Sequence, residues 1–173
     1  MLQHRFIDSA LKNPSKVAFV DRTTDKDITF NQALLGSLIL SRRFRKLETD
    51  RIGIMLPTSA GAALAVIGSV MGGLTPVMIN YSTGAEKNYI YAQQQCDFKT
   101  VITTKPLLEK TGCPELPGMV FIEDIMANLG KLEKVLGLIK SKAPVTLLKR
   151  LTGSHDLSKP AVILFTSGSE KAP

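Results

Sequence analysis

At 173 residues, with 44% apolar and 21% charged side chains, the chain has the length and balance of one folded, core-bearing domain. It contains no tryptophan and few aromatic residues, so it lacks the rings of a stacking platform for single-stranded nucleic acid, and no nucleic-acid partner is expected. Its net charge is +7, and its two cysteines, Cys96 and Cys113, have neither metal-ligand spacing nor the number of a disulfide scaffold. A reduced, cytoplasmic compartment with no metal site is the expectation.

The N-terminus is charged within five residues and has no apolar core, unlike a signal peptide. Phe6 to Leu11 has helical spacing and stops near Asn13-Pro14. Val17 to Val20 and Ile28 to Phe30 flank a polar turn and predict a hairpin, after which Asn31 is placed to cap a helix from about Gln32 to Lys46. Its apolar residues, among them Leu34, Leu35, Leu38, Ile39 and Phe44, gather on one side.

From Ile52 to Ala85 there is no charged residue and no histidine, a run long enough to raise a membrane span. Pro57, Gly72-Gly73 and Pro76 break it into strand (52 to 56), small-residue helix (60 to 71) and strand (76 to 79), a βαβ unit that needs no bilayer. Ser82 to Gly84 then reads as a loop and Ala85 to Gln95 as a helix. Thr100 to Thr103 reads as a strand, Lys105 to Lys110 as a short helix and Met119 to Ile122 as a strand. Strands alternating with helices at this spacing predict an α/β fold with a mostly parallel sheet flanked by helices.

Between Asp124 and Lys149 the rhythm changes. Ile125, Leu129, Leu132, Leu136 and Ile139 repeat at helical spacing with lysines between them, and Pro144 ends the pattern. From Met126 to Arg150 six basic residues stand against one acidic, a net of +5. Such a segment is either a helix with solvated lysines or a basic face for an anionic membrane surface or acidic protein, through Lys131, Lys134, Lys140, Lys142 and Lys149. A second basic knot, Arg42, Arg43, Arg45, Lys46 and Arg51 against Glu48 and Asp50, also raises an anionic partner.

The last thirteen residues carry the chemistry. Val162 to Phe165 reads as a short buried strand running into Thr166-Ser167-Gly168-Ser169. Hydroxyls and free backbone N–H groups surround a phosphate well, and Gly168 lets the backbone approach without a Cβ in the way. The motif ends within itself, so the chain is expected to be a piece of something larger. There is no Gly-x4-Gly-Lys-Ser/Thr of a P-loop NTPase, and Ser167 is not in a Gly-x-Ser-x-Gly elbow.

LFTSGSEKAP resembles the phosphate-loop signature of the adenylate-forming (AMP-binding) superfamily, which includes acyl-CoA synthetases and peptide-synthetase adenylation domains. Phe165 through Ser169 and Pro173 match, while Glu170 and Lys171 stand where that signature has threonine and glycine. Ile28-Thr29-Phe30 is similar to the family's opening block, and VIGSVMGGLTPVMIN (66 to 80) to its next, with Gly73 and Pro76 in place. The Ser-Glu variant of the loop, after a Lys-rich segment, looks like the acyl-[acyl-carrier-protein] synthetase part of bacterial 2-acylglycerophosphoethanolamine acyltransferases.

The resemblance implies the first subdomain of an adenylate-forming N-terminal domain over residues 1–173, with residues 124–150 a basic amphipathic insertion. It implies ATP and Mg²⁺, a fatty or other carboxylic acid, and acyl carrier protein or coenzyme A as acceptor. Thr166, Ser167, Gly168 and Ser169 would grip the β- and γ-phosphates, with Lys171 as an added ligand. The catalytic residues are expected beyond residue 173, so residues 1–173 alone are expected to be inactive. It further implies a cytoplasmic enzyme, peripheral to or fused with an inner-membrane protein. The alternatives are a catalytically degenerate AMP-binding scaffold and, behind it, a membrane-embedded protein.

Overall fold

The computed structural model describes residues 1–47, 49–130, 143–152 and 158–165. In chain order they form α1 (Leu2–Lys12), the hairpin β1 (Val17–Asp21) and β2 (Lys26–Thr29), α2 (Phe30–Phe44), a 3-10 turn, β3 (Arg51–Ile54), α3 (Ala60–Gly72) and β4 (Thr75–Met78). Then follow α4 (Ala85–Cys96), β5 (Val101–Thr103), α5 (Lys105–Thr111), β6 (Met119–Phe121), α6 (Ile122–Ala127), α7 (Val145–Leu151) and β7 (Ile163–Leu164).

The local chemistry explains where these elements begin and end. Thr29, not Asn31, caps α2: its hydroxyl oxygen accepts the Gln32 N–H at 3.3 Å, and the Gln32 side chain accepts the Thr29 N–H at 2.8 Å. That reciprocal capping box starts the helix at Phe30, two residues earlier than an Asn31 cap would. Ser59 caps α3 by accepting the Ala62 N–H, and Gly73 ends the helix in the left-handed region at φ 84°. Small residues then let α3 press onto α2: a Cβ at Gly68 would lie 2.8 Å from the Leu40 Cβ.

The main sheet has five strands in the order β6-β5-β3-β4-β7, and every pairing is parallel. Alternation along the strands sends side chains to two faces. Ile52, Ile54 and Ile102 meet Leu40, Phe44, Ala62 and Ala65 on the α2–α3 side. Met55, Val77 and Val101 meet Tyr89, Ala92, Phe98 and Leu107 on the α4–α5 side. Gly53 has no side chain because its neighbours leave no room for one: a Cβ would sit 2.6 Å from a methyl of Val101 on the paired strand β5 and 3.2 Å from the Phe98 ring. A third cluster, Ile7, Ala10, Leu34, Met71 and Leu148, joins α1, α2, α3 and α7.

Two expectations change and one holds. The run from Asp124 does not continue as one helix, because α6 ends at Ala127 with Asn128 as its cap; residues 131–142, with Lys131, Lys134, Lys140 and Lys142, lie outside the described residues. The strand at Val162–Phe165 is only Ile163–Leu164, with Leu164 66% exposed, since among the described residues it pairs on one side only, with β4. The uncharged stretch from Ile52 to Ala85 is strand, thirteen-residue helix and strand; among the described residues no helix is long and apolar enough to cross a membrane.

Candidate functional site

In a parallel sheet of this kind ligands bind outside the carboxyl ends of the strands, where backbone N–H groups of the following helices point outward. From β3 the chain steps outward to β4, then returns through α4 to β5 on the opposite side of β3. Such a reversal of strand order is a topological switch point, the kind of place where ligands bind in open α/β sheets.

At the end of β3, the N-terminus of α3 already has protein partners. The Asp21 carboxylate, from the hairpin, accepts the Ala60 N–H at 3.0 Å, and Ser59 accepts the Ala62 N–H at 3.2 Å. Asp21 also accepts the Thr23 hydroxyl at 2.5 Å and the Thr23 N–H at 2.9 Å. The Thr23 hydroxyl does most to hold this carboxyl below its ordinary pKa, and burial opposes it. A negative charge fixed here repels a second anion, so a phosphate is disfavoured at this helix.

The end of β4 differs. Asn80 folds the loop by accepting the Ser82 N–H (2.9 Å) and hydroxyl (2.7 Å), while the Asn88 amide donates to the carbonyls of Asn80 (3.0 Å) and Thr83 (2.7 Å). Gly84, at φ 64°, then opens α4 with no side-chain cap. β7 lies directly beside β4, in the register Val77 to Ile163 and Met78 to Leu164. The chain therefore leaves β7 at the same edge, next to the β4–α4 loop. Phe165, the first residue past β7, packs edge-on against Tyr91 of α4, ring centroids 5.7 Å apart.

Thr166, Ser167, Gly168, Ser169 and Lys171 follow directly and lie outside the described residues, as do Glu170, Pro173 and His155. Sequence reasoning missed Asp21, whose partner Ala60 is 39 positions away. It also missed the Tyr91–Phe165 contact. A carboxylate at the end of a strand facing a later helix start was the available signal for Asp21.

Three arginines of the knot hold helix ends. Arg45 donates to the carbonyls of Met71 (3.0 Å) and Leu151, Arg51 to Cys96 (2.7 Å), and Arg43 to Asn128 (2.7 Å). These carbonyls lie at the C-terminal ends of α3, α7, α4 and α6. Helix C-termini carry partial negative charge and unpaired carbonyls, which explains arginines there without an external anion. Lys149, the one described member of the proposed lysine face, pairs with Asp8 at 2.6 Å. A cavity of about 700 Å³ near Arg45, Arg51 and Lys99 lies at this end of the sheet, away from the carboxyl edge. Among the described residues no group of three His, Cys, Asp or Glu side chains is placed to hold a metal.

The family model for AMP-binding enzymes matches residues 6–173. Solved structures give the same fold. An inhibitor-bound N-terminal domain of FACL13 from Mycobacterium tuberculosis superposes with a TM-score of 0.64 at 16% identity, over 99% of this chain and 42% of that one. O-succinylbenzoate coenzyme A synthetase (MenE) from Bacillus subtilis, in complex with ATP and magnesium, gives 0.61 at 15% identity, over 73% of this chain and 34% of that one. The AMPPNP-bound nonribosomal peptide synthetase FmoA3 gives 0.65 at 16% identity, over 75% of this chain and 14% of that one. The chain thus spans less than half the length of each of these structures. With the parallel sheet and the matched model together, the chain belongs to the AMP-binding enzyme family.

Proposed function

We propose that residues 1–173 are the opening part of the N-terminal domain of an ATP-dependent carboxylic-acid ligase. In this reading residues 124–150 are a basic insertion within that domain. The observation that supports it best is the parallel placement of β7 beside β4. It brings the chain up to Phe165 to the carboxyl edge, beside a helix start that no side chain caps and away from Asp21, and the Thr166–Ser169 motif is next in sequence. Thr166 and Ser169 supply hydroxyl donors to the β- and γ-phosphates, Gly168 an unobstructed N–H, and Ser167 and Lys171 further contacts. Mg²⁺, when bound, neutralises phosphate charge.

In the first step a carboxylate oxygen of the acid attacks the α-phosphorus of ATP. The bond to pyrophosphate breaks and an acyl-adenylate forms. In the second step a thiol sulfur takes the acyl carbon, the thiol proton goes to solvent and AMP leaves. Both steps are substitutions in which positioning and charge stabilisation do most of the catalysis. The acid is a fatty acid, and the thiol is that of acyl carrier protein or coenzyme A, with transfer onward to a lysophospholipid. The basic segment with Lys131, Lys134, Lys140, Lys142 and Lys149 supplies charge for an anionic lipid surface, Lys149 exchanging its Asp8 partner for it. The resemblance of LFTSGSE, after a Lys-rich segment, to the loop of acyl-[acyl-carrier-protein] synthetases supports these finer assignments. The catalytic groups lie beyond residue 173, and residues 1–173 alone are inactive.

ATP–pyrophosphate exchange on the full-length protein, across short to long carboxylic acids, tests this. Acid-dependent exchange with preference for long-chain acids is expected. Thr166→Ala should lower kcat/KM for ATP by roughly 10- to 100-fold, as loss of a hydrogen bond to a charged group does. No exchange with any acid, from folded protein, would instead favour a degenerate scaffold.

A further inference from the structure

The short strand β7 is weakly held for an element that precedes a phosphate loop. It is two residues long, and among the described residues its backbone pairs only with β4. Leu164 is exposed and contributes little. What remains are Ile163 and Phe165, both packed against the cluster on the α4–α5 face. The Phe165 ring meets Tyr91 edge-on, at 5.7 Å and 63°, a geometry in which the positive ring edge of one aromatic faces the π-cloud of the other.

Tyr91 sits on a helix that is itself tied down. Its neighbour Tyr89 is buried, and the Tyr89 hydroxyl donates to the Pro117 carbonyl at 2.5 Å. Asn88 ties the same turn to the β4–α4 loop. Tyr91 stands on the flank of α4, half-buried, outside the buried face of Ala85, Tyr89, Ala92 and Cys96. Its ring therefore adds little to the core, yet it supports the side chain next to Thr166.

We propose that Tyr91 is a positioning residue for nucleotide phosphate binding: through its edge-on contact it fixes Phe165, and so sets where the chain enters the Thr166–Ser169 loop. This rests on the ATP-dependent reading above. Tyr91 touches no substrate; it acts through Phe165.

The test uses the full-length protein with Tyr91→Ala, Tyr91→Phe and Tyr89→Phe, and two readouts. Tyr91→Ala should raise KM for ATP roughly two- to tenfold with kcat unchanged, the factor an aromatic pair of this kind carries. Tyr91→Phe keeps the ring and should restore the wild-type KM. Tyr89→Phe removes the hydrogen bond to Pro117, and should lower the melting temperature without moving KM. Separately, without nucleotide, trypsin cleavage after Lys171 should be faster in Tyr91→Ala than in the wild type or Tyr91→Phe. If Tyr91→Ala leaves both KM and Lys171 cleavage unchanged, or Tyr89→Phe moves KM equally, the proposal is overturned. A wild type without exchange would overturn the ligase reading, and with it the role in nucleotide binding. The cleavage comparison would then still decide whether Tyr91 holds the segment.

Discussion

Asp21 shows what one side chain does in this fold. Its carboxylate closes the hairpin turn through Thr23 and caps α3 through Ala60, joining two elements that share no sheet. The hydrogen bonds favour the charged form, so the folded-state pKa lies below the unfolded one. The stabilisation is therefore fully present above an ordinary carboxylate pKa of about 4 and is lost as the pH falls through the lower folded value. Asp21→Asn should be less stable than the wild type at pH 7, with the gap narrowing below about pH 4 as the wild-type carboxyl protonates. Urea unfolding at pH 7 and pH 3 measures this; an undiminished gap at pH 3 would mean that shape, not charge, carries the cap.

At the scale of elements, helix ends are the recurrent problem, and arginines answer it at the C-termini. Arg45 bridges the last turns of α3 and α7, two helices far apart in sequence, by donating to Met71 and Leu151. Burial pushes the pKa of this guanidinium down, though hydrogen bonds to carbonyls retain the charge there. Arg45→Met keeps the aliphatic stem and removes the donors. It should cost about 1–3 kcal/mol, the range for buried polar groups left unsatisfied, as read from chemical denaturation. Loss of under about 0.5 kcal/mol, the range of ordinary surface substitutions, would show that water replaces the guanidinium freely.

At the scale of the whole molecule, stability rests on two apolar layers on either side of one parallel sheet, plus the α1–α7 cluster. The described ion pairs, Lys105–Asp124, Lys149–Asp8 and Lys159–Asp50, are solvent-exposed to varying degrees and add little. Cys96 and Cys113 both lie in the α4–α5 layer, and burial is the main cause that raises both thiol pKa values. A disulfide reagent at pH 8 should label neither thiol rapidly in the native protein, and labelling should accelerate across the urea unfolding transition. Rapid native labelling of both would mean that this layer opens independently of the rest.

Element type was legible in the sequence because it depends on local chemistry. The βαβ unit between Ile52 and Ile79, the Gly73 stop and the parallel α/β class follow from periodicity and punctuation within a few residues. The family, too, was carried by short ordered blocks, LFTSGSE above all. Tertiary structure decided what depends on partners distant in the chain. Three arginines of a net-positive knot that raised an anionic partner serve as helix-end clamps, which the sequence hides because Met71, Cys96, Asn128 and Leu151 are 26 to 106 positions from the arginines they bind. Asp21 became a cap, and β7 took its place beside β4, with no second strand partner among the described residues. Periodicity encodes which face of a segment is buried, but not which carbonyl or ring it will meet, since that is set only when the chain closes on itself.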